Sequence, residues 1–335
     1  MADKSQLNNK KVICVENNNT GCFERNLNEF FEKYLGDVKN FPWERLENIR
    51  EWERENPIRL AMLDAISGMV YRELGNDEKA CDLWSKVLLS SKTSHAGKTI
   101  ANAGMAAIYA ERGDTEAVKK AVNELYGIGA GYVSNLWTIE ALNGMLEIFE
   151  ERCSFYDETL AMAGGIIDTC RILENEHTGL IKERSALLRA NTNFYVASAL
   201  VTDEELSEAE KLLEGDILPT FTSLGQDVRV ADAKTLLCLT YWLGERLDKA
   251  IDAAEAAWKI YETNGPMSEK SLSMTRALWD LYYESGDGDA EAKLLDLFEK
   301  NGIEEPQSRL DALEKWIGEE ETRMRKETAK CLDEH

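Results

Sequence analysis

One spacing recurs along this chain and constrains its fold more than any other feature. It reads as a small residue, an aromatic three positions on, a glycine four after that, an alanine five further and a large residue four beyond. It is clearest at Gly68, Tyr71, Gly75, Ala80 and Trp84. The second copy is Ala106, Tyr109, Gly113, Val118 and Val122. Towards the C-terminus come Cys238, Tyr241, Glu245, Ala250 and Ala254, then Trp279, Tyr282, Gly286, Glu291 and Leu295. A fainter copy is Ala197, Leu200, Glu204, Ala209 and Leu213, and the weakest is Met145, Ile148, Arg152, Asp157 and Ala161. The aromatic column, at 71, 109, 148, 200, 241 and 282, steps by 38, 39, 52, 41 and 41. A near-constant period with fixed internal offsets is the signature of stacked units, each burying its apolar face against its neighbours.

Each unit reads as a helical hairpin. Between Ile58 and Leu74 the apolar residues Leu60, Leu63, Ile66, Val70 and Leu74 fall three or four apart, one stripe of an amphipathic helix. Gly75 accepts the left-handed backbone just past a helix C-terminus. Asn76 or Asp77 then caps a second helix carrying Ala80, Trp84, Val87 and Leu88. The small residue lets the paired helices approach, the aromatic fills the gap beside it, and the alanine admits the neighbouring helix. The five prolines, at 42, 57, 219, 266 and 306, fall between helical stretches, and the alternating runs that strands need are missing.

As they stand at 68–84, these residues resemble the tetratricopeptide repeat (TPR) family, in a longer-period form like the repeats of kinesin light chains. The resemblance is good in the first, second and last copies, partial in the fourth and fifth and poor in the third, and it spans 58–301. It implies an all-α, right-handed solenoid of about six antiparallel helical hairpins plus terminal helices. The step of 52 implies longer helices or an insertion around 165–190. Residues 1–22, rich in Asn and Lys, are expected to form a disordered tail. Residues 23–57, with Phe23, Leu27, Phe30, Phe31, Tyr34, Leu35, Leu46 and Ile49, are expected to hold two further helices. Residues 302–335 are expected to close the array with a capping helix, apolar at Leu310, Leu313, Trp316 and Ile317 and charged on its other side.

Proteins of this family bind extended or helical peptides on the concave wall lined by the first helix of each hairpin. Carried over position by position, the resemblance projects Met62, Ala65, Met69 and Arg72 onto that wall, then Ile100, Ala103, Ala107 and Glu111. The fifth copy contributes Thr235, Leu239 and Trp242, and the sixth Ser273, Arg276, Asp280 and Tyr283. Trp242 and Tyr283 hold equivalent positions one repeat apart, either as partner anchors in an open groove or as packing against the next hairpin. Family members that clamp a C-terminal carboxylate use Lys and Asn where this chain has Ala65, Met69, Ala103 and Ala107. That half of the wall suits an apolar helix or strand instead.

The charge narrows the partners. With 62 Asp and Glu against 39 Lys and Arg, the chain carries −23. Nucleic-acid binders gain affinity by neutralising phosphates with basic residues, and an anionic membrane repels such a surface, so neither is expected as a partner. A basic or apolar protein or peptide is. Seven scattered cysteines show no metal-site or redox spacing, and Cys81, Cys170 and Cys238 read as small buried hydrophobes in a reducing cytoplasm. The apolar stretch Val12–Val15 is too short for a signal-peptide core, and no run is long enough to span a membrane.

Catalytic chemistry finds little to work with. The histidines are His95, His177 and His335, too few and too scattered for a nucleophile–base pair. Glu174 and His177 have the Glu-x-x-His spacing of di-metal bundles, but only once. Gly127-Ile128-Gly129-Ala130-Gly131 lacks the preceding strand of a dinucleotide loop and reads as a connection between hairpins. Asp203-Glu204-Glu205 reads as a helix start and Glu319-Glu320-Glu321 as a solvated helix face. No cofactor, metal or catalytic group is expected. The expected function is a non-enzymatic, cytoplasmic protein- or peptide-binding adaptor or scaffold. The alternative is a regulatory sensor whose solenoid changes shape on binding a small ligand or peptide, bending at 127–131.

Overall fold

The computed structural model describes residues 20–128, 135–152, 156–286 and 289–333, and all regular structure among them is helical. Helices α1 (Thr20–Asp37) and α2 (Trp43–Trp52) come first, joined by a 3-10 turn at Val38–Asn40. Six hairpins follow. They are α3 (Pro57–Glu73) with α4 (Asp77–Leu89), α5 (His95–Glu111) with α6 (Thr115–Ile128), and α7 (Leu136–Arg152) with α8 (Tyr156–Glu176). Next, α9 (Leu180–Thr202) pairs with the broken helix α10 (Leu206–Leu212) and α11 (Leu218–Ser223). The last two are α12 (Asp227–Leu243) with α13 (Leu247–Asn264) and α14 (Glu269–Ser285) with α15 (Ala290–Lys300), before the terminal α16 (Pro306–Asp333). The chain divides into two compact units, Met1–Thr192 and Asn193–His335.

The turns explain why the offsets repeat. At Gly75 and Gly113 the backbone is left-handed, φ +74° and +73°. In each case the residue just beyond donates its N–H five back, Asn76 to the Tyr71 carbonyl at 2.8 Å and Asp114 to that of Tyr109 at 2.9 Å. This is the Schellman closure of a helix end. It ties the aromatic and glycine columns together, because the two ends of one hydrogen bond lie at fixed spacing. Asn76, rather than Asp77, caps α4, accepting the Lys79 N–H at 3.2 Å; Asp77 begins the helix, where its charge meets the positive end of the dipole.

The step of 52 is taken up by two long helices, α8 with 21 residues and α9 with 23. The break between α10 and α11 is a π-turn, Leu213–Ile217, in which the Leu218 N–H reaches back to the Leu213 carbonyl. Pro219 follows at the start of α11 and has no N–H to give the ordinary ladder.

In the first unit the packing pivots on Trp84 of α4, which is fully buried. Its indole N–H donates to the Ala65 carbonyl at 3.0 Å. A Cβ on Gly68 would lie 2.3 Å from Nε1, and one on Gly104 would lie 2.3 Å from Cη2. The ring thus lies against two bare backbones, α3 of its own hairpin and α5 of the next. Helix α1 also joins this unit. Phe30 and Phe31 are fully buried, the Trp137 indole of α7 donates to the Leu27 carbonyl at 3.2 Å, and the Phe31 and Trp137 rings meet edge to face at 5.0 Å. At its other end Phe23 lies under the Arg59 guanidinium of α3, 5.0 Å from it.

Candidate functional site

The projected wall divides sharply between the two units. In the first, Met62, Ala65, Met69, Ile100, Ala103 and Ala107 are all buried, none more than 6% exposed. Helix α5 is interior along most of its length, and α1 bridges from α3 to α7 with its phenylalanines turned inward. Arg72 is half-buried and engaged, donating to Glu111 Oε1 at 3.1 Å and to the Gly104 carbonyl at 3.4 Å. These side chains offer a partner almost no surface.

In the second unit the equivalent positions face solvent. Tyr283 is 77% exposed and Trp242 is 41% exposed. Both rings are exposed, and Trp242 also touches the next hairpin, at Glu284. Leu239 is exposed beside Trp242, Thr235 is half-buried, and Ser273, Arg276 and Asp280 lie along α14. Arg276 Nε donates to Asp280 one turn on, at 3.0 Å. Leu243, exposed next to Trp242, widens the apolar surface. The sequence reading passed over it because it follows the projected column by one residue.

Polar bonds hold α12 and α14 in this relation. The Trp242 indole donates to Glu284 Oε2 at 2.7 Å. Near the start of both helices, buried Asp232 of α12 accepts the Tyr261 hydroxyl from α13 at 2.6 Å and the Lys270 ammonium from α14 at 2.7 Å. Thr235 shares a hydrogen bond with the same Tyr261 hydroxyl at 3.2 Å. A buried carboxylate with two such donors is satisfied, which makes it a fixed post rather than a free acid. The sequence hid this cluster because its members sit 29 and 38 positions apart.

The aromatic column does more than fill space. Tyr241 donates to Glu214 at 2.5 Å, and Tyr282 donates to Glu255 at 2.6 Å, each reaching 27 residues back to the preceding hairpin. Burial, then the accepting carboxylate, pushes both hydroxyls well above the ordinary tyrosine range.

The other sequence candidates fall outside this face. Glu174 is held by Arg189, with Oε1 at 2.7 Å from Nε and Oε2 at 3.2 Å from Nη2, and His177 is exposed just past α8. His95 is the first residue of α5, capped by Ser94, and is exposed. Among the described residues no group of three His, Cys, Asp or Glu is arranged to hold a metal. Burial raises the Cys170 thiol to about 12 and the Cys238 thiol to about 11, which keeps both protonated. Cys81 is only partly buried. Asp203-Glu204-Glu205 is the turn between α9 and α10 and not the start of a helix. Gly127 and Ile128 end α6; the rest of that glycine-rich segment, and the tail before residue 20, lie outside the described residues. No helix among the described residues is long and apolar enough to cross a membrane.

No protein-family model matches the sequence, and no curated protein matches it. Among solved structures, the chain is similar to the apo form of RapI at 12% identity, with a TM-score of 0.56 over 86% of this chain and 79% of that one. Weaker likenesses join it to BtubC (BKLC) from P. vanneervenii, at 17% identity and a TM-score of 0.48 over 70% and 92% of the two chains. A Rap protein complexed with competence and sporulation factor matches at 12% identity and 0.47 over 91% and 88%. Taken with the helical hairpins and the turn seen in the first, second, fourth and fifth, the first likeness establishes that the chain has a TPR-like helical-repeat fold.

Proposed function

We propose that the protein is a non-enzymatic binding scaffold that engages a protein or peptide on the α12–α14 face. The supporting observation is the exposure of Trp242 and Tyr283 at equivalent positions of consecutive repeats, 41 residues apart. Tyrosine and tryptophan dominate the energetics of protein interfaces, because a large ring gives up much water while ordering few torsions. Contiguous exposed apolar surface on an otherwise acidic molecule marks an interaction site. In this reading Thr235, Leu239, Arg276 and Asp280 frame the anchors. Met62, Ala65, Met69, Arg72, Ala103 and Ala107 serve the partner indirectly, as the interior of the first unit. A reducing cytoplasm is the compartment that suits buried, protonated thiols.

The test is the double substitution Trp242→Ala with Tyr283→Ala. Proteins retained from a lysate of the source cell by the immobilised native chain should be lost by the variant, with the melting temperature unchanged. An identical retained set from both chains would refute the proposal. A melting temperature lowered by more than about 4 °C, roughly 1 kcal/mol or more, would assign the rings to the core.

A further inference from the structure

The carboxylate of Glu284 lies at the edge of the exposed Trp242 ring, one residue on from exposed Tyr283. Glu284 follows Tyr283 on α14 and accepts the Trp242 indole N–H from α12 at 2.7 Å. Among the described residues no ion pair reaches it, and Lys293 donates instead to the adjacent Ser285 at 3.0 Å. A carboxylate offers about four lone-pair positions, so one indole bond leaves most of its accepting capacity open. Aromatic faces attract cations through their quadrupoles, tryptophan most strongly.

We infer that the α12–α14 face selects a peptide segment carrying Arg or Lys beside a large apolar residue. The cation is taken by Glu284 and the ring faces of Trp242 and Tyr283, and the apolar side chain lies on Leu239 and Leu243. Apolar surface alone would accept any greasy segment. A carboxylate that is bonded to Trp242 and carries no cation converts that into a preference for a basic one. An acidic segment is disfavoured twice, by Glu284 itself and by the field of a chain at −23. This rests on the proposed use of the face as a binding surface and names the chemistry of the partner.

Three labelled dodecapeptides test it, sharing the same leucines and carrying lysines, glutamines or glutamates between them. Their binding to the full chain is read by fluorescence anisotropy near physiological salt. The lysine peptide should bind most tightly. Glu284→Gln should weaken it about three- to fivefold, the size of a surface ion pair, and leave the glutamine peptide unchanged. Trp242→Ala with Tyr283→Ala should weaken both by about tenfold or more. Glu284→Gln moves the net charge only from −23 to −22, so general attraction of a basic peptide cannot imitate its effect. If Glu284→Gln leaves the lysine peptide unaffected while the aromatic variant loses it, the cation contact is refuted and the binding face survives. If the aromatic variant binds as the native chain does, or no peptide binds the native chain at all, both ideas fall. Glu284 and both rings are on the surface, and a circular dichroism spectrum of each variant checks that the helices persist.

Discussion

Glu204 and Glu245 hold φ of +62° and +56°, in the column where other copies place glycine. Each closes a helix as Gly75 does: the following N–H, of Glu205 and of Arg246, reaches back to the Leu200 and Tyr241 carbonyls at 2.8 and 2.9 Å. A side chain in this conformation costs about 1–2 kcal/mol, part of which glycine would return as greater freedom of the unfolded chain. Glu204→Gly and Glu245→Gly should therefore each stabilise the protein by about 0.5–1 kcal/mol, seen as a higher urea midpoint at constant slope. The opposite holds at Gly104. Alanine there would gain about 1 kcal/mol of helix propensity in the absence of neighbours. Its Cβ would fall 2.3 to 2.6 Å from the Trp84 ring, which is fully buried and has nowhere to swing. Gly104→Ala should thus lower stability by about 1–3 kcal/mol in the same measurement, and a gain would show that the ring adapts.

At the scale of elements, the Tyr–Glu bonds fasten hairpin to hairpin. Tyr241 ties α12 to the π-turn at Glu214, and Tyr282 ties α14 to α13 at Glu255. Their hydroxyls titrate above the ordinary tyrosine value because burial, then the carboxylate acceptors, oppose a second negative charge. The folded state therefore holds these protons more tightly than the unfolded state. The stability they contribute is whole below pH about 10, the unfolded value, and is lost as pH rises through the folded-state values. The urea midpoint should fall between roughly pH 10 and 11.5, and Tyr241→Phe with Tyr282→Phe should flatten that fall. A decline of equal steepness in native and double-variant chains would count against this fastening.

For the whole molecule, the two units use the same hairpin for different ends. In Met1–Thr192 the first helices are interior, with Ala103 and Ala107 closed off from solvent and α1 bridging α3 to α7. In Asn193–His335 Leu239, Trp242, Arg276 and Tyr283, on the first helices of their hairpins, are open to solvent. The net charge of −23 belongs to the molecule as a whole and bears on which partners approach. On the proposed function, which of them stays is decided by a few side chains on α12 and α14.

Hairpins, turns and caps were legible because local physics writes them at fixed offsets. A helix end closed five residues back must place its left-handed residue four after the aromatic, so Tyr71 and Gly75, or Tyr241 and Glu245, recur together. The exposed pair Trp242 and Tyr283 was legible only as a pair of equivalent positions. Whether such positions point to solvent depends on what covers them, and in the first unit the burial comes with contacts like that between Trp137 and Leu27, 110 residues apart. The partner of Glu284 was equally hidden, 42 residues away across the α12–α14 pair. The sequence by itself determined the helical repeat, since each repeat's geometry is set within its own thirty to forty residues. Only the tertiary structure decided which stretch of wall is open, because burial is a property of contacts between residues far apart in the chain.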